Sequence, residues 1–319
     1  HFHDTLNGLP PSCIGMGGKT ATVDPGVTTR NEYPPRVSFW VLIMPYLEQL
    51  SLYNLIVTTT DNFYEPMLNS TFWNTFSDEQ HKGFQISFYR CPSRRGGSSP
   101  MIGQRPGAVG SHDDQMLYGT QGDYAFVVGR ASEAWAGWGM DPGAAKSYVD
   151  GTNNLSAENI KGPFRPALWE NGTPRDWRIR DTFSRLQDGT SNQIIVGEKM
   201  IINPNIGLCE YVDTGGNRPK SGDCSILVGG IIWAAFPAMR SFNGRIGRSS
   251  DLPETTETHT EPQNHWGSSH SGVCHFLLGD GSVRALPVTI PTGPLTSTST
   301  TSILAKLGQV DDGNTISIP

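Results

Sequence analysis

The sequence has no C-x-x-C pair, no run approaching the roughly 20 apolar residues a membrane-spanning helix needs, and no excess of basic charge. Each absence closes a class. Structural zinc sites usually draw paired cysteines from one short knuckle, so none is expected. A net charge of -6 argues against a nucleic-acid partner, which needs a concentrated basic face. Gly-x-Ser-x-Gly, His-Glu-x-x-His, a phosphate-binding glycine loop and a dinucleotide fingerprint are also missing. An enzyme would need a pocket joining residues such as His270, Asp280, Glu198 and Asp188, and the sequence supplies no motif that gathers them. The expectation is a protein without bond chemistry and without a resident cofactor or metal.

Charge and apolar content are both low, 17% and 36%, and 37 Gly with 23 Pro make up the difference. Both residues are costly inside a helix, so many short strands joined by turn-rich loops are expected, in one β-rich domain over residues 1–319. The clearest local pattern is a β-hairpin over residues 268–286. Two apolar runs, Val273 to Leu278 and Val283 to Leu286, flank the turn Gly279-Asp280-Gly281-Ser282. His270 precedes Asp280-Gly281 by nine intervening residues, which sets imidazole and carboxylate at opposite ends of one strand, roughly 25–30 Å apart if extended. That is too far for a dyad. His270 therefore reads as a structural residue, its ring fixing the approach to the hairpin.

A second turn-and-strand unit is Asp188-Gly189-Thr190-Ser191-Asn192 followed by Ile194-Ile195-Val196-Gly197-Glu198. The turn oxygens would suit a Ca²⁺ ion, but the remaining ligands of an EF-hand loop are absent. Asx and Ser/Thr side chains bonding their own backbone are the plainer reading. Val37 to Leu55 is the first core element, strand or helix up to Pro45 and helix beyond it, with Glu48 in the helical part as a structural carboxylate. Phe84 to Tyr89 alternates as a strand ending at Cys91-Pro92, and Arg90, Arg94 and Arg95 beside Gly96-Gly97 read as a solvated loop. Asp123 to Val128 and Val228 to Phe236 are further strands, and Ile303 to Leu307 is a short helix stopped by Gly308. Between residues 130 and 178, Trp135, Trp138, Trp169 and Trp177 sit among Gly, Pro and Asn. They would serve either as loop anchors or as a stacking surface for a polysaccharide.

Several segments together carry a family resemblance. They are His3-Asp4-Thr5 with Gly8-Leu9-Pro10-Pro11, Ser38 to Gln49 with Leu52-Tyr53-Asn54, Tyr89-Arg90-Cys91-Pro92-Ser93, Asp188 to Asn192 with Val196-Gly197-Glu198, His270 with Asp280-Gly281, and Leu304 to Gly313. In this order they resemble the prepilin-type processing-associated H-x(9)-D-G domain family of planctomycetes, also catalogued as bacterial solute-binding family 10. The resemblance implies an α+β, pilin-like fold: an antiparallel sheet with long loop insertions, preceded by a hydrophobic N-terminal helix absent from this chain. A β-sandwich without pilin ancestry is the alternative. It also implies an extracellular or cell-surface subunit, self-associating or joining pseudopilin partners in a filament or secretion-associated pseudopilus, with any membrane contact through the missing helix. A surface module binding a carbohydrate or other solute is the competing reading.

Five cysteines stand at 13, 91, 209, 224 and 274. Cys209 and Cys224 bracket a turn-rich segment and are expected to pair; Cys13 with Cys91 is a weaker second pair, leaving Cys274 a buried thiol. Full reduction of all five stays open. Non-reducing peptide mapping of the native protein should recover the Cys209–Cys224 cross-link, and both as free thiols would remove this support for an oxidising compartment.

Overall fold

The computed structural model describes residues 2–14, 36–58, 86–95, 120–129, 160–169, 177–201, 206, 223, 226, 228–229, 238–242, 246–248, 265–292, 302–313 and 316. Trp135, Trp138, Cys209 and Cys224 lie outside them. The strands are Cys13–Ile14 (β1), Arg36–Ser38 (β2), Tyr124–Gly129 (β3), Leu168–Trp169 (β4), Trp177–Arg178 (β5), Ile194–Glu198 (β6), Val228–Gly229 (β7), Met239–Ser241 (β8), Ile246–Arg248 (β9), Trp266–Ser268 (β10), Val273–Leu278 (β11) and Val283–Pro287 (β12). Among the described residues four short helices accompany them: Phe2–Leu6 (α1), Phe39–Ile43 (α2), Leu50–Thr58 (α3) and Ile303–Gly308 (α4).

The main sheet has five strands in the order β12-β11-β6-β3-β8. The first four are mutually antiparallel, while β8 runs parallel to β3, so the sheet is mixed where an antiparallel one was expected. Apolar patterning marks a strand but carries no direction, and β8 arrives through a long connection that permits the parallel sense. A three-stranded sheet, β1-β2-β7, and two-stranded pairs β10-β9 and β4-β5 complete the ladders. The fold is α+β and β-rich. Two facing sheets of similar size, the signature of a sandwich, are not seen among the described residues.

The interior strand β3 explains its own composition. Phe126 and Val128 enter one apolar cluster, with Phe39, Trp40, Val41 and Leu42 of α2. Ala125 and Val127 enter the other, with Phe276 and Leu278 of β11, Trp266, and Leu304 and Leu307 of α4. A strand covered on both faces reads as an unbroken apolar run, as Tyr124–Gly129 does. Strand β11, next to the edge, alternates instead, with Cys274, Phe276 and Leu278 buried and the residues between them half-buried. At the sheet edge β12 buries only Leu286, and Val283 is 61% exposed.

The stretch from Arg36 to Thr58 changes form as the proline predicts. Helix α2 gives way to a 3₁₀ turn over Met44–Leu47 with Pro45 in its first turn, and α3 follows. Glu48 does not lie in a helix. It ends the 3₁₀ turn in the left-handed conformation at φ 59°, exposed to solvent. Trp40 and Tyr89 show how large side chains with polar tips are buried at little cost. The indole Nε1–H of Trp40 donates to the Ala238 carbonyl at 3.0 Å, and the Tyr89 hydroxyl donates to the Trp40 carbonyl at 2.6 Å. In the described part of the strand expected over residues 84–89, Ser87–Tyr89 is instead a 3₁₀ turn, with the Tyr89 ring in the core.

Gly197 in β6 is set by close approach. A Cβ there would stand 2.5 Å from the Phe276 ring and 2.9 Å from Trp266, both fully buried. Gly197→Ala is expected to lower stability by about 1–3 kcal/mol, read as a lower urea midpoint with an unchanged slope.

Candidate functional site

The two motif segments are partners in one antiparallel ladder. Phe276 faces Gly197 and Leu277 faces Val196, so the start of β6 lies against the end of β11 and the reverse. At one end, the two turns hold each other: the Gly279 N–H donates to the Gln193 carbonyl at 2.9 Å and the Asp280 N–H to the Thr190 carbonyl at 3.1 Å. Asp280 closes its own turn by accepting from the Ser282 N–H at 2.8 Å, and Gly281 takes the positive φ of 85° that the turn requires. Asp188 accepts from the backbone N–H groups of Asp312 and Gly313 at 2.9 and 3.0 Å, tying the segment after α4 to the sheet. Asn192 donates back to the Asp188 carbonyl at 3.0 Å, and Gly189 has φ 94°. Thr190 to Asn192 form a single 3₁₀ turn that includes Ser191. Two backbone donors from the segment after α4 thus converge on the Asp188 carboxylate, a long-range tie where bonding to its own turn was expected.

The other end of the ladder gathers chemistry. Glu198 is buried at the end of β6, and its Oε2 accepts from the His275 N–H at 2.8 Å and lies 3.1 Å from His275 Nδ1. Its Oε1 is 3.3 Å from His270 Nε2. That same nitrogen is 3.6 Å from Cys91 Sγ. The two imidazoles meet edge to face at 4.6 Å. Ser268 shapes the approach to β11, donating its hydroxyl to the Val273 carbonyl and accepting from the His270 N–H at 3.0 Å. His270 thus belongs to a side-chain cluster as well as to the hairpin.

This is not a nucleophile–base–orienter relay. Such a relay places thiol and carboxylate on opposite nitrogens of the imidazole, whereas here both face Nε2. Burial, helped by the Glu198 charge, also pushes the Cys91 thiol above its ordinary pKa, the reverse of an activated nucleophile. The four residues named for a hypothetical pocket divide into two ends of one ladder: His270 with Glu198, and Asp280 with the Asp188 turn.

Beneath Cys91 lies a buried ionic network. Arg94 and Arg95 are not a solvated loop; both are buried on Asp123. Arg94 Nη1 and Arg95 Nε donate to Asp123 Oδ1 at 3.2 and 2.9 Å, the Cys91 N–H donates to Oδ2 at 2.8 Å, and Arg95 also pairs with buried Asp223. Arg94 Nη2 reaches the Gly267 carbonyl at 2.9 Å, linking the network to β10. Gly-Gly after the arginines suggested exposure, but their partners come from residues 123 and 223, which local spacing cannot reveal. Two carboxylates balance two guanidiniums, which makes the burial tolerable. Burial alone would raise the Asp123 pKa, but Arg94 and Arg95 outweigh it and hold the carboxyl below its usual range.

Cys13 and Cys91 do not pair. Cys13 is buried in β1 opposite Ser38 and in no disulfide, Cys91 turns toward His270, and Cys274 is a buried thiol 3.6 Å from the Glu198 carbonyl. Of the tryptophans, Trp169 and Trp177 fall in register opposite each other in the β4–β5 pair. Reading the sequence missed Cys91, His275, Asp123 and Asp223 as partners. The one available signal was that Tyr89-Arg90-Cys91-Pro92-Ser93 recurs as a family landmark.

Asp123→Asn should leave two buried guanidiniums under-compensated and cost about 3–5 kcal/mol in urea unfolding. Because the folded pKa of Asp123 is lowered, its contribution is present above the unfolded carboxyl pKa of about 3.9 and lost as pH falls through the folded value. The wild type should therefore lose stability below about pH 4, and the variant should show a flatter acid branch.

No curated protein and no solved structure matches the chain. A family model, SBP_bac_10, described as "Protein of unknown function (DUF1559)", matches residues 1–293, a span that contains both ladder motifs and the Cys91 cluster. The chain belongs to this family.

Proposed function

We propose that the chain is a pseudopilin-like head that works by assembly at the cell surface, with itself or with pseudopilin partners, and performs no bond chemistry. The observation that carries this reading is how the family landmarks are spent. Asp188, Asn192, Asp280 and Gly281 serve to close turns and to fasten β6 to β11 and to the segment after α4, so their chemistry is consumed inside the fold. A five-stranded sheet with α2 packed on one face suits a decorating head carried by a separate helix. Among the described residues no helix is long and apolar enough to cross a membrane, so membrane attachment in this proposal falls to a hydrophobic N-terminal helix of the pilin type.

A second reading, a surface module for a polysaccharide or other solute, rests on the β4–β5 pair. That pair sets Trp169 opposite Trp177 and leads directly into an open depression lined by Leu6, Asn7 and residues 178–182. It is compatible with assembly.

Electron microscopy and size-exclusion chromatography of detergent-free native extracts should find the protein in polymers or in complex with pseudopilin-like partners. A strictly monomeric protein would sink the assembly reading. Enzyme-like turnover of a polysaccharide or peptide by the purified chain would sink the absence of bond chemistry.

A further inference from the structure

Cys91, Glu198 and His270 come from three distant parts of the chain, and Cys91 and His270 alone are 179 residues apart. Their Sγ, carboxylate oxygen and imidazole nitrogen all lie within 4.8 Å of one another. We infer that this cluster binds a thiophilic divalent metal ion, Zn²⁺, through Cys91 Sγ, Glu198 Oε1 and His270 Nε2, with a water on the fourth position.

The spacing of the donors carries the inference. A tetrahedral zinc with Zn–S near ~2.3 Å and Zn–N and Zn–O near ~2.0–2.1 Å sets sulfur and nitrogen about 3.6 Å apart, and nitrogen and oxygen about 3.3–3.4 Å apart. The corresponding separations here are 3.6 Å for Sγ to Nε2 and 3.3 Å for Nε2 to Oε1. One ring nitrogen carries at most one proton and so cannot donate to the sulfur and the carboxylate at once. A cation between them satisfies all three lone pairs at once. Sulfur and nitrogen donors select against Ca²⁺ and Mg²⁺, which prefer all-oxygen shells.

The surroundings match a metal site beyond its ligands. The His275 backbone N–H holds Glu198 Oε2 at 2.8 Å with the ring Nδ1 at 3.1 Å, which leaves Oε1 aimed at His270. Asp123 fixes the Cys91 backbone from below, accepting from its N–H at 2.8 Å. Cys91 and Glu198 are buried, while the His270 side chain is 30% exposed, so the open coordination position faces solvent on the His270 side. On binding, the Cys91 S–H bond breaks, the proton leaves to solvent and a sulfur–metal bond forms, with no change of oxidation state. The ion would staple the segment after Ser87–Tyr89 to the ends of β6 and β11. Closing loops of this length is where a clip constrains the unfolded chain most.

The test uses the untagged chain, stripped with a chelator and then titrated with Zn²⁺ by calorimetry and with Co²⁺ by absorption. One equivalent of metal, a thiolate-to-cobalt charge-transfer band and a melting temperature that rises with free Zn²⁺ are expected. Cys91→Ser should abolish the band and weaken Zn²⁺ by more than about 100-fold, exceeding the roughly 10–100-fold loss expected for His275→Ala, which should keep the band. If Cys91→Ser does not fold, protection of Cys91 from iodoacetamide by Zn²⁺ in the wild type gives the same reading. Sub-stoichiometric binding, a cobalt spectrum without thiolate ligation, or a folded Cys91→Ser that binds as the wild type does would each overturn the site. None of these readouts depends on whether the protein polymerises.

Discussion

The antiparallel register between β6 and β11 is the constraint on which the rest of this structure depends. Asp188 stands ten positions before Glu198, and His270 ten before Asp280, so each segment carries one residue for either end of the same ladder. Pairing Phe276 with Gly197 fixes both ends at once. A slip by one residue would turn Phe276 and Leu278 to the opposite face and separate Glu198 from both histidines. The missing side chain at Gly197 is part of the same constraint, since the Phe276 ring occupies the space a Cβ would take.

Beside this ladder the molecule tolerates a concentration of buried charge that a predominantly apolar core would not need. Arg94, Arg95, Asp123 and Asp223 are all buried, and Lys199, just after β6, is buried near them, its ammonium driven well below its ordinary pKa by desolvation against the opposing pull of Asp223. Such networks add little net stability over an apolar replacement, but they punish any arrangement that leaves one member alone. Here the network positions a short irregular segment, 91–95, against the sheet without help from a ladder or a helix. It therefore determines where the Cys91 side chain stands relative to Glu198.

What the sequence disclosed follows from which interactions are local. The hairpin over 268–286, the strand from Tyr124, the break at Pro45 and the short helix from Ile303 were legible, because each is written in alternation, turn chemistry or capping within one segment. The parallel sense of β8, the burial of Arg94 and Arg95, and the meeting of Cys91 with His270 were not legible. Their partners lie far along the chain, and residue types such as Arg beside Gly-Gly carry the signature of solvent when read alone. His270 shows the divide within a single residue. Its distance from Asp280 could be read as one strand length, while Glu198, the group it faces, belongs to a neighbouring strand that spacing does not identify.

The end strand β12 limits how far the main sheet could be extended at its margin. A terminal strand offers its outward backbone groups to any passing chain, and ordered extension of a sheet across molecules proceeds through such a margin. β12 is poorly suited to it: the strand is five residues long, Arg284 carries a charge on it, and Pro287 lacks the N–H that would continue the ladder. Growth by strand addition at this margin is thus confined to a few residues.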